Sequence, residues 1–142
     1  MDIVQNDYDQ CLYFASNVFA RSMEKLAEEE FGAIGLSPSY AYLLMAAIQK
    51  PGIRPLELSQ ILQLHPSTIT RLLDKLQMKG YLERLNSGRT TKILPTTKSQ
   101  RMQLKLARAW QNLQNRYTLL LGEEQTQQLI TAIGGAQEKL II

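Results

Sequence analysis

Between Leu58 and Arg84 the chain reads LSQILQLHPSTITRLLDKLQMKGYLER, and the spacing of its apolar residues leaves little choice of fold. Leu58, Ile61 and Leu62 recur at helical intervals, and Leu64 is placed to seal a turn. Ile69, Leu72, Leu73 and Leu76 then resume the 3.6-residue period on one face. Pro66 suits the first position of the second helix, where a missing N–H costs nothing. The spacing therefore predicts a helix-turn-helix. The opposite face of its second helix carries Ser67, Thr68, Thr70, Arg71, Lys75 and Lys79. Short hydroxyls at a helix N-terminus, with cations one and two turns on, suit insertion into a DNA major groove. The plainer alternative is an amphipathic helix pair with a solvated polar face.

The charge distribution separates these two. The net charge of the 142 residues is only +3. Residues 50–108, however, hold twelve Lys and Arg against Glu57, Asp74 and Glu83, a net of +9. The preceding segment nets −5 and the following one −1. A basic middle between acidic or neutral flanks is the electrostatic footprint of a nucleic-acid-binding face. No long uninterrupted apolar run offers a membrane span, and no charged-then-apolar start marks secretion. A single cysteine fits a reducing compartment. The expected location is the cytoplasm.

The remaining elements read as helices with one hairpin. A first helix is expected from about Asn6 to Phe31, with Cys11, Leu12, Ala15, Val18, Phe19, Ser22 and Leu26 on its apolar face and Gly32 and Gly35 ending it. Ser37 and Pro38 open a second, which Pro51-Gly52 stops. Residues 55–63 and 66–79 are the helix-turn-helix. YLERL and TTKILPT alternate in character and are joined by Asn86-Ser87-Gly88-Arg89, so they read as a hairpin. A long helix is expected from about Thr97 to Leu121, and a last one after Gly122 with Leu129, Ile133, Ala136 and Leu140 on one side.

A helix-turn-helix followed directly by a basic-tipped hairpin is a winged helix. Arg89 sits at the tip, flanked by Arg84 and Lys92, where it can reach phosphates or the minor groove. The long helices point to a second feature. A 25-residue helix spans roughly 37 Å, more than a small winged helix can cover, and its stripe of Trp110, Leu113, Tyr117 and Leu120 runs its full length. Together with the first and last helices and the LII terminus, this predicts pairing with a second copy, which would present two recognition helices to successive grooves. The expected class is thus mainly α with a small β-hairpin wing: one domain over 1–142, with a DNA-binding lobe at about 36–96 and a helical dimerisation lobe at about 1–35 and 97–142.

The order of elements and the motif text resemble the MarR (multiple antibiotic resistance regulator) family of bacterial winged-helix transcription factors. LSQILQLHPSTITRLLDKLQMKGYLER is similar to the family's LA-x-x-L … T-V-(T/S) … K-G-(L/Y)-(L/I/V)-x-R pattern, and LPTTKSQRM to its LT-x-x-G. The resemblance implies a repressor that binds double-stranded DNA, at a pseudo-palindromic operator, as a homodimer. It implies base- and phosphate-facing roles for Ser67, Thr68, Thr70, Arg71 and Lys75, a wing role for Arg89, and a place for Arg54 at the same surface. Three departures stand out. The wing is short and has Gly88 where an acidic residue commonly precedes the arginine. His65 replaces the usual Ser or Asp cap of the recognition helix, and Arg54 replaces the usual Thr or Ser cap of the helix before it.

Family members commonly release DNA when a small aromatic or anionic molecule fills a crevice between the dimer helices and the DNA-binding lobe. Tyr8, Phe14, Tyr40, Tyr42 and Trp110 are candidates to line it, with Arg21 as an anion anchor, although aromatics at helical spacing more often form core. A related branch senses oxidants through a cysteine in the first helix. Cys11 occupies that neighbourhood, but Pro38 and Ala41 stand where that branch carries thiol-orienting tyrosines, and Asp7 disfavours a thiolate. The favoured reading is an inert cysteine on the interior face; the alternative is a one-cysteine oxidant sensor. A winged helix that binds an acidic protein is a further alternative. No metal, cofactor or enzymatic function is expected: one His and one Cys cannot make a zinc site, and no nucleophile, zinc-protease or phosphate-loop motif occurs.

Overall fold

A computed structural model describes residues 7–141. A single 3₁₀ turn at Tyr8–Gln10 leads into α1 (Leu12–Gly32), followed by α2 (Pro38–Gln49), α3 (Pro55–Leu62) and α4 (Pro66–Met78). The hairpin β1 (Leu82–Ser87) and β2 (Thr90–Pro95) comes next, then α5 (Thr97–Arg101), α6 (Gln103–Leu121) and α7 (Glu123–Leu140). The mainly helical, winged class expected from the sequence is the one found. Asn6 and Ile142, which figured in the expected first helix and apolar terminus, lie outside the described residues.

The core is centred on the winged helix. Phe31, Leu43, Leu44, Ile53, Leu58 and Ile93 are fully enclosed, and Ile69, Leu72, Leu73 and Leu76 turn inward from α4 as their period requires. Burying each such side chain contributes about 1.5–3 kcal/mol. α1 packs chiefly on α6, closing over this core at Ala27, Phe31, Leu106, Ala109 and Leu113. Arg116 of α6 fastens the pair from outside, donating to Glu29 at 2.8 Å and Glu30 at 3.2 Å.

Four local expectations are corrected. α1 begins at Leu12, because Cys11 is extended (φ −92°, ψ 119°) and serves as its N-cap. Cys11 is exposed, and so are Val18 and Ser22, so the face expected to be interior is bare in the single chain. The long helix predicted from Thr97 is broken at Met102, whose ψ of −4° ends α5 and starts α6. The first segment is held to the wing base instead: the Thr96 hydroxyl donates to the Gly80 carbonyl at 2.6 Å and accepts the Ser99 N–H at 3.3 Å. The wing turn is only Gly88-Arg89, since Asn86 and Ser87 pair with Thr91 and Thr90 in the ladder. Gly88 at φ 63° takes the left-handed first position that a two-residue II′ turn requires. Finally, Ile61 is largely exposed at 59% rather than core.

One pairing had no sequence signal. The carbonyl of Ile53, isolated between Pro51-Gly52 and Pro55, accepts the Ile93 N–H of β2 at 2.8 Å, and the Gly52 N–H reaches the Ile93 carbonyl at 2.8 Å. A one-residue strand leaves no alternation to read. It ties the loop before α3 to the wing, so that the helix-turn-helix and the hairpin form one body.

Candidate nucleic-acid interface

The recognition helix is set by its two ends. His65 is extended and its Nδ1 accepts the Ser67 N–H at 3.1 Å, so the imidazole performs the capping that Ser or Asp would. The Ser67 hydroxyl lies 2.7 Å from the same nitrogen. At the other end Gly80, at φ 81°, lets the chain reverse, and the Tyr81 N–H returns to the Leu76 carbonyl at 2.9 Å. Gln63, left-handed at φ 53°, makes the bend from α3.

Ser67, Thr70, Arg71 and Lys75 are exposed on the face of α4 opposite its buried stripe, and Thr68 is half-buried beside them. All three hydroxyls are already engaged locally, Ser67 with the His65 ring. Thr70 donates to the Pro66 carbonyl at 3.1 Å, and Thr68 accepts from Arg71 at 3.4 Å, which lays the guanidinium along the helix. Arg71, Lys75 and Arg89 have no ion-pair partner among the described residues. Arg89 is exposed at the hairpin tip.

The acidic residues of this basic segment are mostly neutralised. Asp74 is paired with Arg84 at 2.8 Å. Glu57 is shared by Lys50 and by Arg54, whose Nε lies 3.1 Å away. Lys50 first, then Arg54, hold the Glu57 carboxyl well below its ordinary value of 4.5, at about 2. Glu57 also accepts the Arg54 backbone N–H at 3.2 Å, replacing in part the side-chain cap that arginine, having no acceptor, cannot supply. Arg54 is thus exposed at the start of α3 with its charge partly committed.

Arg84 departs from its sequence reading as a wing cation. It leaves the wing and clamps the recognition helix, donating to Gln77 Oε1 at 2.6 Å and the Thr70 carbonyl at 3.5 Å besides its pair with Asp74. Lys98 and Lys79 are likewise turned to the fold: Lys98 donates to the Lys79 carbonyl at 2.7 Å and lies over Tyr81, and Lys79 lies over Tyr40. Alternation along the strands could not have shown that Arg84 reaches back to α4.

The expected crevice exists, with a different lining. A groove of about 710 Å³ runs between α1, α2, the α3–α4 turn, α6 and α7. Of the five aromatics proposed, only Tyr42 lines it. Burial pushes the Tyr42 hydroxyl above its usual pKa of 10, with a polar contact from Trp110 pulling the other way. Tyr8 and Phe14 pack on each other at the start of α1, Tyr40 lies under Lys79, and Arg21 does not line the groove. Its walls are instead Phe19, Met23, Leu113, Tyr117 and Ile133, with Ile61 and Leu64 at the turn that precedes α4. No three His, Cys, Asp or Glu side chains among the described residues are placed to hold a metal, and no helix among them is long and apolar enough to cross a membrane.

Comparison with known proteins accords with this geometry. The MarR family model matches residues 36–89, from the start of α2 to the wing tip. The regulator YybA of Bacillus subtilis (strain 168), an HTH-type transcriptional regulator, is 24% identical over 88 residues; the match spans 60% of this chain and 59% of that one. The structure of Staphylococcus aureus MepR bound to DNA superposes with a TM-score of 0.80 at 17% identity, over 91% of this chain and 97% of that one. The repressor CouR bound to p-coumaroyl-CoA gives 0.80 at 20% identity, over 96% and 98%. These relatives are transcriptional regulators rather than enzymes, and the likeness to the two solved structures extends beyond the winged helix to the fold of the flanking helices. Residues 36–89, which match the MarR family model, form the winged helix of this chain, and its fold is that of the two solved structures.

Proposed function

We propose that the chain is a transcriptional repressor that binds double-stranded DNA as a homodimer, at a pseudo-palindromic operator with half-sites centred about 10 bp apart. The observation that carries this reading is the state of the charges: Arg71, Lys75 and Arg89 are exposed and unpaired among the described residues, while Asp74 and Glu57 are neutralised by neighbouring cations. A face so arranged attracts phosphates, with Glu83 the one acidic residue of the basic segment that has no ion-pair partner among the described residues. In this reading Ser67, Thr68, Thr70 and Arg71 meet base edges, and Lys75, Arg54 and Arg89 meet phosphates.

Dimer formation is supported by apolar faces that the single chain leaves bare. Leu12 and Tyr13 on α1, Leu119 and Leu120 on α6, and Leu140 on α7 lie outside the groove and are more than half exposed. Thr126 is the one buried residue of α7. In this reading residues 1–35 and 97–142 form the dimerisation lobe and residues 36–96 the DNA-binding lobe. The groove between them takes a small effector whose contact with Ile61 and Leu64 is passed to the His65 cap and so to the recognition helix. MepR was solved on DNA and CouR with p-coumaroyl-CoA, which is consistent with both halves of the proposal.

The test is binding of labelled duplex by fluorescence anisotropy at several salt concentrations. Operator binding at a stoichiometry of two chains per duplex, with a log–log salt slope of several phosphates, supports the reading. Retention of an acidic protein in place of duplex DNA would make the basic face a protein-docking surface instead.

A further inference from the structure

The effector groove has a charge preference written into its lining. Eighteen residues line it, and Glu24 of α1 is the only one with a formal charge. Its carboxylate has neither an ion-pair nor a hydrogen-bond partner among the described residues. Among those residues no Lys or Arg reaches the groove. Arg116, on the α6 face beside it, has its guanidinium committed to Glu29 and Glu30. The other polar lining groups are hydroxyls, and the Thr126 hydroxyl is already satisfied by the Gly122 carbonyl at 2.7 Å.

Phe19, Tyr42 and Tyr117 supply aromatic rings to the same space. Aromatic faces carry negative potential and attract cations, more so where water is excluded. An anion entering here would lose its hydration against apolar walls with no cation to replace it, and would meet Glu24. A cation with apolar substituents loses the same hydration but gains the carboxylate and the rings. At about 710 Å³ the groove lies within the usual range for small-molecule sites.

We propose that this groove selects a lipophilic monocation, with the Glu24 carboxylate as its counter-charge and the Phe19, Tyr42 and Tyr117 rings as its walls. The proposal rests on the effector reading above for the location of the ligand, and concerns its chemical class. It excludes an anionic aromatic effector at this site.

The probes are tetraphenylphosphonium and tetraphenylborate, near-identical in shape and opposite in charge, titrated calorimetrically into the full-length protein without DNA. Tetraphenylphosphonium should bind at least about tenfold tighter, a difference of about 1.4 kcal/mol. Glu24→Gln should abolish most of that ratio and Glu24→Lys should invert it. Glu28→Gln, exposed on α1 and outside the groove, should leave it unchanged. Circular dichroism of each variant checks that an exposed substitution has left the helices intact. Equal or tighter binding of the borate, no binding of either probe, or a ratio unmoved by Glu24→Gln would overturn the proposal. Release of bound duplex is scored separately. Tetraphenylphosphonium that binds with the predicted preference yet leaves DNA bound would contradict the effector reading and not the charge selection.

Discussion

The segment from Leu36 to Thr96 and the three long helices α1, α6 and α7 satisfy their apolar residues in different ways. In the first, the inward stripes of α2, α3 and α4 and the inner faces of the wing meet one another, and Leu43, Leu44, Leu58 and Ile93 are wholly enclosed within one chain. In the second, the stripes are as regular but end in open space: Leu12 is 79% and Leu120 73% exposed, and α7 buries one threonine. The same periodicity thus finishes a core in one place and leaves half of one in the other. An apolar stripe at helical spacing marks a face that must be covered; it does not say which chain covers it.

This contrast is most open to attack by matched truncations. Leu43→Ala should lower the stability of the fold by about 2–5 kcal/mol, because it empties a closed site. Leu119→Ala, on the bare face of α6, should lower Tm at concentrations where the protein is dimeric and leave it unchanged where the chain is a monomer, as expected when a substitution weakens association. Calorimetry over a hundredfold range of concentration reads both. A Leu119→Ala effect independent of concentration would mean that this face is merely solvated.

The next effect concerns reading against positioning. Arg71→Ala should weaken binding to a specific site by about 1–3 kcal/mol and relax preference at one base pair. Arg89→Ala should weaken all duplexes alike and lower the salt slope by about one phosphate. Equal losses on specific and random duplex for Arg71→Ala would assign it to positioning alone.

Smaller effects sharpen the account of how the helix-turn-helix is held. His65→Ala removes the Ser67 N–H acceptor and should cost about 0.5–2 kcal/mol, measured by urea unfolding, whereas His65→Ser should restore most of it. Glu57, held at about 2 by Lys50 and Arg54, is more acidic folded than unfolded. Its contribution is therefore present above 4.5 and is lost as pH falls through that value toward about 2. Glu57→Gln should flatten the stability–pH curve in that window and leave its shape at neutral pH alone. Smallest of all, Cys11→Ser should raise stability by a few tenths of a kcal/mol, as a better N-cap for α1. A loss would mean that the thiol is buried against a second copy.

Much of this was legible in the residues and some was not, for reasons that differ by region. The helix-turn-helix was readable because Leu58 to Leu76 keep a strict period bounded by Pro55, Pro66 and Gly80, each a local conformational constraint. The hydroxyl and cation face of α4 follows from the same period. The wing turn was misjudged because Asn86 and Ser87 have turn propensity that the ladder to Thr90 and Thr91 overrode. The break at Met102 and the start of α1 after Cys11 depend on backbone angles that no side chain there announces. Arg84 and the groove lining arise from contacts between elements distant in sequence, and composition carries no trace of those. Cys11 reads as interior because its face is apolar at helical spacing, yet Val18 and Ser22 on that face are exposed too, since within one chain nothing covers it.

The central claim is that two copies of this chain join through their bare helical faces and set two α4 helices on one duplex. Selection of bound DNA from a random pool by the purified protein, followed by sequencing, tests it most directly. The account predicts an enriched site with dyad symmetry and half-site centres about 10 bp apart. An enriched site without a dyad, or no enrichment at low salt, would contradict it.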